Sequence, residues 1–357
     1  MKELEMKLVL ENGQEFYGIG CGADKPVAGE IVFNTSMVGY QEIISDPAYA
    51  GQIVLMTYPL MGQYGITAED NEARVSGLAG LVVRECCDTP SNFRYTKTIS
   101  EEMIERKICG ISGVDTRMIT RIIRKNGGMR AAITYAGTPV KEAMAMIKAA
   151  EEKKDFVSEV SCTHRWFSRT PNHKFDVVVI DCGMKHSIVD ELNGRGCNVT
   201  VVPFNSTAEE ILAFNPDGIL ISSGPGNPDD LPQIVNLVKK FIGKIPIFGI
   251  SLGQCIIGRA YGASIERTGC GHHGGRATRN IETGKIVTTE QNHNFAIKAD
   301  TLEKTPLMIT YTDVADGTVE GIECAEDKVY AVQFYPEGGP GPRETDYFDK
   351  FVKMMEK

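Results

Sequence analysis

Gly249, Ser251 and Gly253 stand in the G-x-S-x-G spacing of a nucleophile elbow, where an apolar run from Ile245 to Ile250 meets an apolar helix start at Ile256-Ile257. Strand, sharp turn and helix in that order hold one side chain at a strand tip, over a helix N-terminus that favours developing negative charge. The flanking glycines let the backbone take the turn without Cβ clashes. The chemistry on offer is attack of the Ser251 hydroxyl on a carbonyl carbon, which needs a base to take its proton. A second loop, Gly224-Pro-Gly226, ends the apolar run from Gly218 to Ser223. It reads either as a source of backbone N–H donors for an oxyanion or carboxylate, or as a plain tight turn. It does not match a phosphate-binding Walker loop. His272-His273 are adjacent, a poor spacing for two ligands of one ion, and no carboxylate pattern completes a set, so no metal is expected.

The elements that must position these residues alternate. Phe175-Asp-Val-Val-Val-Ile-Asp181, Asn198 to Pro203, Gly218 to Ser223 and Ile245 to Ile250 read as buried strands. Ser187 to Leu192, a capped Thr207 to Phe214 and Leu231 to Ile242 read as the helices between them. That alternation predicts a doubly wound α/β sheet, with function at the carboxyl ends of its strands. The first half is β-rich. Lys7 to Leu10 and Glu15 to Tyr17 around Asn12-Gly13 predict a hairpin, Gly29 to Thr35 and Gly51 to Pro59 two more strands. Ser100 begins a capped helix, and Thr116 to Lys125 is an amphipathic helix stopped by Asn126-Gly-Gly128. Lys141 to Lys154 is helical and charged; Ser161 to Lys174 is polar and irregular, with the only tryptophan, Trp166. The expected division is 1–154, a linker at 155–174, and 175–357.

The bulk properties narrow the class. Length 357 fits two or three domains, and 42% apolar with 24% charged residues suffices for a sizeable core. A net charge of −9 makes nucleic acid an unsuitable partner. No run of 18 apolar residues is present, and Met1-Lys-Glu-Leu-Glu-Met6 lacks signal-peptide shape, so a cytoplasmic protein without a membrane span is expected. Ten cysteines without C-x-x-C spacing read as reduced thiols, most of them small core residues.

Taken together the chain resembles, over nearly its whole length, the small, glutamine-hydrolysing subunit of carbamoyl-phosphate synthase. The resemblance rests on Gly29-Glu-Ile-Val-Phe-Asn-Thr-Ser-Met-Val-Gly-Tyr-Gln-Glu42, Asp46-Pro47, Thr57-Tyr-Pro59 and Gly113-Val-Asp-Thr-Arg117 in the first half. In the second it rests on Gly224-Pro-Gly226, Gly271-His-His-Gly-Gly275, Gln291-Asn-His293 and Pro340-Gly-Pro342. It implies a β-rich α/β N-terminal small-subunit domain followed by a doubly wound class I glutamine amidotransferase-like domain. It also implies a large-subunit partner that uses ATP and magnesium, no cofactor on this chain, and glutamine or ammonia as nitrogen source. In that family an elbow cysteine attacks the glutamine amide. A histidine, oriented by a glutamate two residues later, is the base, and the released ammonia passes to the large subunit.

The sequence departs from the family where that chemistry is done. The family's Cys-Leu-Gly-His-Gln is Ser251-Leu-Gly-Gln-Cys255, and its His-Pro-Glu is Tyr335-Pro-Glu337. Ser251, Tyr335 and Glu337 therefore occupy the triad positions. At the substrate positions Gly224, Gly226, Leu252, Asn292 and Phe295 remain, whereas Ala48, Cys255 and Asn294 differ from the family. A thiol has a pKa of about 8.5; a serine hydroxyl depends wholly on its base, and a phenol of pKa about 10 keeps its proton at neutral pH. No histidine follows His293, which leaves Glu337 nothing to orient. The reading is a glutaminase-inactive small subunit supporting ammonia-dependent synthesis, in arginine or pyrimidine formation. Three alternatives stay open: residual glutaminase through Ser251 with His272, His273 or His293 as base, the histidine pair otherwise belonging to a loop; a serine hydrolase in which Glu266 or Glu282 serves His293; and a free-standing regulatory pseudoenzyme.

Overall fold

The computed structural model describes residues 4–151, 154–341 and 346–356. Residues 152 and 153 of the charged segment, and Pro342 of Pro340-Gly-Pro342, lie outside them. The chain divides into two units, Met1–Lys154 with Gly269–Gly274, and Asp155–Thr268 with Gly275–Lys357.

In the first unit, β1 (Glu5–Leu10) and β2 (Glu15–Gly22) form the expected hairpin, with Val9 opposite Glu15 and Gly13 at φ 84° in the turn. Next come β3 (Val27–Asn34), β4 (Gln52–Met56), the short β5 (Leu60–Met61), β6 (Gly80–Val82), β7 (Glu85–Cys86), β8 (Cys109–Ser112) and β9 (Met129–Tyr135). Seven of them close a barrel in the order β1-β2-β8-β6-β4-β3-β9, and β5 pairs with β7 apart from it. Period-2 alternation sorts the barrel residues into two sets. Met6, Leu8, Leu10, Ile53, Leu55, Cys109, Ile111, Ala131 and Ile133 form one buried core with Ile119 and Ile123 of the helix Thr116–Asn126. Their neighbours Val32, Val54, Met56 and Leu81 pack instead with Tyr40, Ile43 and Met103 of the helices Tyr40–Ser45 and Ile99–Glu105.

The cap of that last helix differs from expectation. Thr98, not Ser100, is the N-cap, accepting from the Glu101 N–H while Glu101 accepts from the Thr98 N–H. Ser100 instead donates its hydroxyl to Asp88 at 2.7 Å. Thr98→Ala should destabilise the first unit by about 1 kcal/mol, read as a lowered urea midpoint; Ser100→Ala should leave the capping box intact.

The second unit holds β10 (Trp166–Ser168), β11 (Phe175–Asp181), β12 (Cys197–Pro203), β13 (Gly218–Ile221), β14 (Ile247–Ile250), β15 (Ile265–Asn280), β16 (Ile286–Ile297), β17 (Met308–Asp313), β18 (Val319–Cys324) and β19 (Val329–Val332). They form one sheet ordered β10-β12-β11-β13-β14-β19-β18-β17-β15-β16. Its centre, β12-β11-β13-β14-β19, is parallel, as the apolar runs and intervening helices require. The antiparallel extension through β18, β17 and β15 was not anticipated. Two expectations are corrected. Residues 155–174 are no linker: they belong to the second unit, and Trp166–Ser168 pairs with β12, Trp166 opposite Val201. Gly271-His-His-Gly-Gly275 is no loop: it lies inside the long strand β15, and Gly269–Gly274 groups with the first unit. There Gly128 donates to the Gly269 carbonyl, and Gly274 takes φ 98° where a Cβ would lie 2.6 Å from Thr35 Oγ1, so that position needs glycine. Among the described residues no helix is long and apolar enough to cross a membrane.

Candidate active site

Strand order reverses between β11 and β13, the point where open α/β sheets open a crevice at their carboxyl ends. The loops after these strands meet there. A Cβ on Gly224 would lie 2.1 Å from the Cys182 carbonyl oxygen and 2.9 Å from Leu252 Cδ2, so only glycine fits between the Cys182 turn and the elbow. Gly226, at φ 90°, completes the loop in a conformation that disfavours a side chain.

Ser251 follows β14 at φ 54°, ψ −106°, a sparsely populated region for a residue with a Cβ. Its surroundings hold it there. The Ser251 N–H donates to the Val332 carbonyl at 2.8 Å, and its own carbonyl accepts from Gln254 N and Cys255 N at 2.9 and 3.3 Å. The helix Leu252–Ala260 begins at once. The two elbow glycines let that helix sit against the sheet: a Cβ on Gly253 would lie 2.3 Å from the Ile221 carbonyl oxygen, and one on Gly249 2.9 Å from Gly253. The elbow geometry is intact, although the residue at its tip is a serine. Gly253→Ala forces backbone against backbone and should lower stability by about 2–3 kcal/mol, measured by thermal unfolding of the second unit.

Tyr335 and Glu337 follow β19, the parallel neighbour of β14, in which Ile250 lies opposite Val332. The residues expected at the triad positions thus follow the carboxyl ends of two adjacent strands. The Tyr335 N–H donates to the Glu290 carbonyl at 2.8 Å, and its side chain is 2% exposed. Glu337 was expected to have nothing to orient; it lies 3.4 Å from the ammonium of Lys185, and both side chains are fully buried. Lys185 also donates to the carbonyls of Gly338 and Gly339 at 2.6 and 2.8 Å. Its Nζ lies 4.4 Å from the centroid of the Tyr335 ring. Sequence reasoning passed over Lys185. It follows β11 directly before the helix His186–Gly194, where a lysine reads as solvated, and its partners lie some 150 residues away.

The residues that the resemblance expects at departing substrate positions have other engagements. Cys255 sits inside the unit, its thiol donating to Gln333 Oε1 at 3.4 Å and to the Phe295 carbonyl at 3.8 Å. Gln254 Nε2 also donates to Gln333 Oε1, at 3.1 Å. Burial pushes the Cys255 thiol far above its ordinary pKa. In the native chain Cys255 should therefore resist iodoacetamide at pH 8 and react only on unfolding, with peptide mapping as the check. Asn292 is buried, the Asn294 carbonyl accepts from Thr268, and the Phe295 ring lies 5.8 Å from the Arg267 guanidinium carbon. Ala48 belongs to the first unit, the middle residue of the turn Pro47–Tyr49, its N–H bound to Asp46.

The histidines considered as stand-in bases are also committed. His293 has the Phe295 carbonyl 3.1 Å from Nδ1 and the Gln291 side-chain oxygen 3.2 Å from Nε2. Its carboxylate neighbour is Glu320, at 3.7 Å, in place of Glu266 or Glu282, which are exposed. His272 and His273 lie in the strand segment grouped with the first unit, where the His273 ring is 6.0 Å from that of Tyr49.

Two family models match the chain. Residues 8–133 match the family described as carbamoyl-phosphate synthase small chain, CPSase domain, and residues 178–355 match glutamine amidotransferase class-I. The carbamoyl phosphate synthase small chain of Staphylococcus epidermidis is 45% identical over 350 residues, covering 98% of this chain and 95% of that one. The small chain of Streptococcus pneumoniae is 44% identical over 351 residues, 98% and 97% of the two chains. The pyrimidine-specific small chain of Halalkalibacterium halodurans is 41% identical over 355 residues, 99% and 98% of the two. With matches of that length on both halves, the chain belongs to the carbamoyl phosphate synthase small-chain family, its first half the family's own domain and its second a class I glutamine amidotransferase domain.

Proposed function

We propose that the chain is a small subunit whose own glutaminase site is silent, and that it supports carbamoyl phosphate synthesis from free ammonia by a large subunit. The observation that carries this reading is the arrangement after β19: a buried phenol stands at the base position, and the carboxylate that would orient a base faces Lys185. A serine nucleophile needs proton removal more than a thiolate does, and a phenol of pKa about 10 is a poor acceptor at neutral pH. Loss of nucleophile and base together removes nearly all triad catalysis, because the members act as a unit. Under this reading ATP and magnesium act on the large subunit, this chain carries no cofactor, and the complex is cytoplasmic. Either the arginine or the pyrimidine branch would fit.

A second reading, residual amide hydrolysis through Ser251, is favoured by one feature, the retained strained elbow at φ 54°. One experiment separates the two. The chain is combined with a carbamoyl phosphate synthase large subunit and given either amide-15N glutamine or ammonium. The expected result is carbamoyl phosphate from ammonium, with the label left in glutamine. Label arriving in carbamoyl phosphate would overturn the proposal in favour of a working Ser251.

A further inference from the structure

Away from the elbow, the helix Thr116–Asn126 of the first unit sorts its residues by charge as well as by hydropathy. Ile119 and Ile123 join the barrel core, and Ile122 packs against it. The other side carries Arg117, Arg121, Arg124 and Lys125, all exposed, beside Met118, which is 48% exposed. Positions 117, 121 and 125 repeat at i, i+4, and 124 lies at i+3 from 121, so the four cations form one stripe. The stripe spans roughly 12 Å along the axis. The helix holds no Asp or Glu, and among the described residues none of the four cations makes an ion pair. Like charges at these spacings repel. A helix kept only for solubility interleaves acids, as Glu102 does for Arg106 at the end of the helix Ile99–Glu105.

The surroundings extend the patch. Arg84 donates to the Gly113 and Val114 carbonyls just before the helix, at 3.3 and 3.4 Å. Between the stripe and the β1–β2 turn lies an open groove, with Asn12 and Gln14 on one side and Met118, Arg121, Lys125 and Asn126 on the other. No carboxylate lines it. Asp115 is spent on the helix cap, accepting from the Met118 N–H, and Glu15, next to Gln14, pairs with Lys7 at 2.7 Å.

We propose that this helix face and its groove are where the chain docks an acidic surface of the large subunit; the inference rests on the subunit role proposed above.

Charge complementarity selects the partner. Arginines spaced along a helix can each fork a carboxylate, and a central Met118 gives adaptable apolar contact. The groove is too open to enclose a small anion, and a net charge of −9 disfavours nucleic acid. The stripe also lies within residues 8–133, the small-chain family's own domain. A second copy of this acidic chain is the competing occupant, and the test separates the two.

The test measures binding of the full chain to a carbamoyl phosphate synthase large subunit by biolayer interferometry. Arg117→Glu with Arg121→Glu reverses half of the stripe and places acid toward the helix N-terminus, where the macrodipole favours it. Affinity should fall roughly tenfold or more at about 0.05 M salt, chiefly through slower association, and the difference should shrink at about 0.5 M. Lys141→Glu with Lys148→Glu, at exposed positions of the helix Val140–Glu151, should change affinity by roughly twofold at most. In the wild-type complex, Lys125 should be acetylated severalfold more slowly than in the free chain, with Lys141 and Lys148 unaffected. This footprint needs no variant, so a folding defect leaves the decision intact. Unchanged binding by the Arg117/Arg121 variant, or an unprotected Lys125 in a complex that forms, overturns the proposal and leaves the subunit role standing. Protection of Lys125 that appears on concentrating the chain alone assigns the face to a second copy and overturns it too. Failure of the wild-type chain to bind the large subunit overturns the subunit role, and this proposal with it.

Discussion

Ser251→Cys combined with Tyr335→His should raise glutamate release from glutamine roughly 10²–10³-fold over the unchanged chain, while either change alone stays at background. The elbow is already built: Ser251 holds φ 54° and its N–H is anchored on Val332. A thiol there gains reactivity only when a base can share its proton, and an imidazole at 335 gains nothing from a hydroxyl it cannot deprotonate. Recovery should stop short of a native amidotransferase for two reasons. Cys255 turns its thiol to Gln333 and Phe295, so the position that the resemblance expects to hold substrate is not rebuilt. The Lys185 ammonium, 4.4 Å from the ring at 335, also disfavours the imidazolium that the mechanism forms. That second effect has a pH signature. A nearby cation lowers a histidine pKa below its usual value of about 6.5, so the base is neutral, and activity present, down to a lower pH than for an isolated imidazole. Coupled assay of glutamate against pH checks both points. A single substitution giving the full gain would mean that one of the present residues already works.

Much of this arrangement was legible because local rules and the fold agree. The apolar run Phe175–Asp181 is the strand it promised to be, and G-x-S-x-G is an elbow because backbone approaches of 2.3–2.9 Å at Gly253 and Gly249 demand glycine. What failed to show did so for physical reasons. Barrel closure depends on parallel pairing of β3 with β4, β4 with β6, and β6 with β8, strands separated by long connections that leave no periodic trace. Ser100 looked like a cap because Glu101 and Glu102 follow it, yet the capping-box spacing belongs to Thr98, which has Glu101 three residues on where Ser100 has Met103. Three glycines in 271–275 suggested a loop, yet the segment lies within strand β15, where Gly271 and Gly274 take φ 71° and 98° and a Cβ on Gly274 would meet Thr35. The polar stretch before Phe175 lacks a long apolar run because its strand, β10, has three residues and lies on a sheet edge. Lys185 was hidden most completely. A lone lysine before a helix carries no hint that a segment from the other end of the domain will close over it.

Lys185→Met should cost the second unit about 3–5 kcal/mol, because it withdraws an ammonium from a fully buried site beside Glu337. It also removes the donors to the Gly338 and Gly339 carbonyls, at 2.6 and 2.8 Å. Methionine restores the volume but no charge and no donor, so packing is kept and electrostatics lost. Trp166, the only tryptophan, is a built-in reporter: it lies in β10 of this unit, its ring 5.9 Å from that of His186, the residue after Lys185. Its fluorescence midpoint in urea should fall accordingly, and a thermal melt should drop by roughly 6–15 °C. Lys185→Met with Glu337→Gln then divides the loss. If the buried charge dominates, the double variant recovers a large part of the stability, since a neutral amide no longer needs a cation. If the two carbonyl bonds dominate, the double variant is no better than the single, and Lys185 acts as a clamp on the Gly338-Gly339 backbone. A single variant with unchanged midpoint would refute both, and would mean that solvent reaches Glu337 freely enough to replace the ammonium.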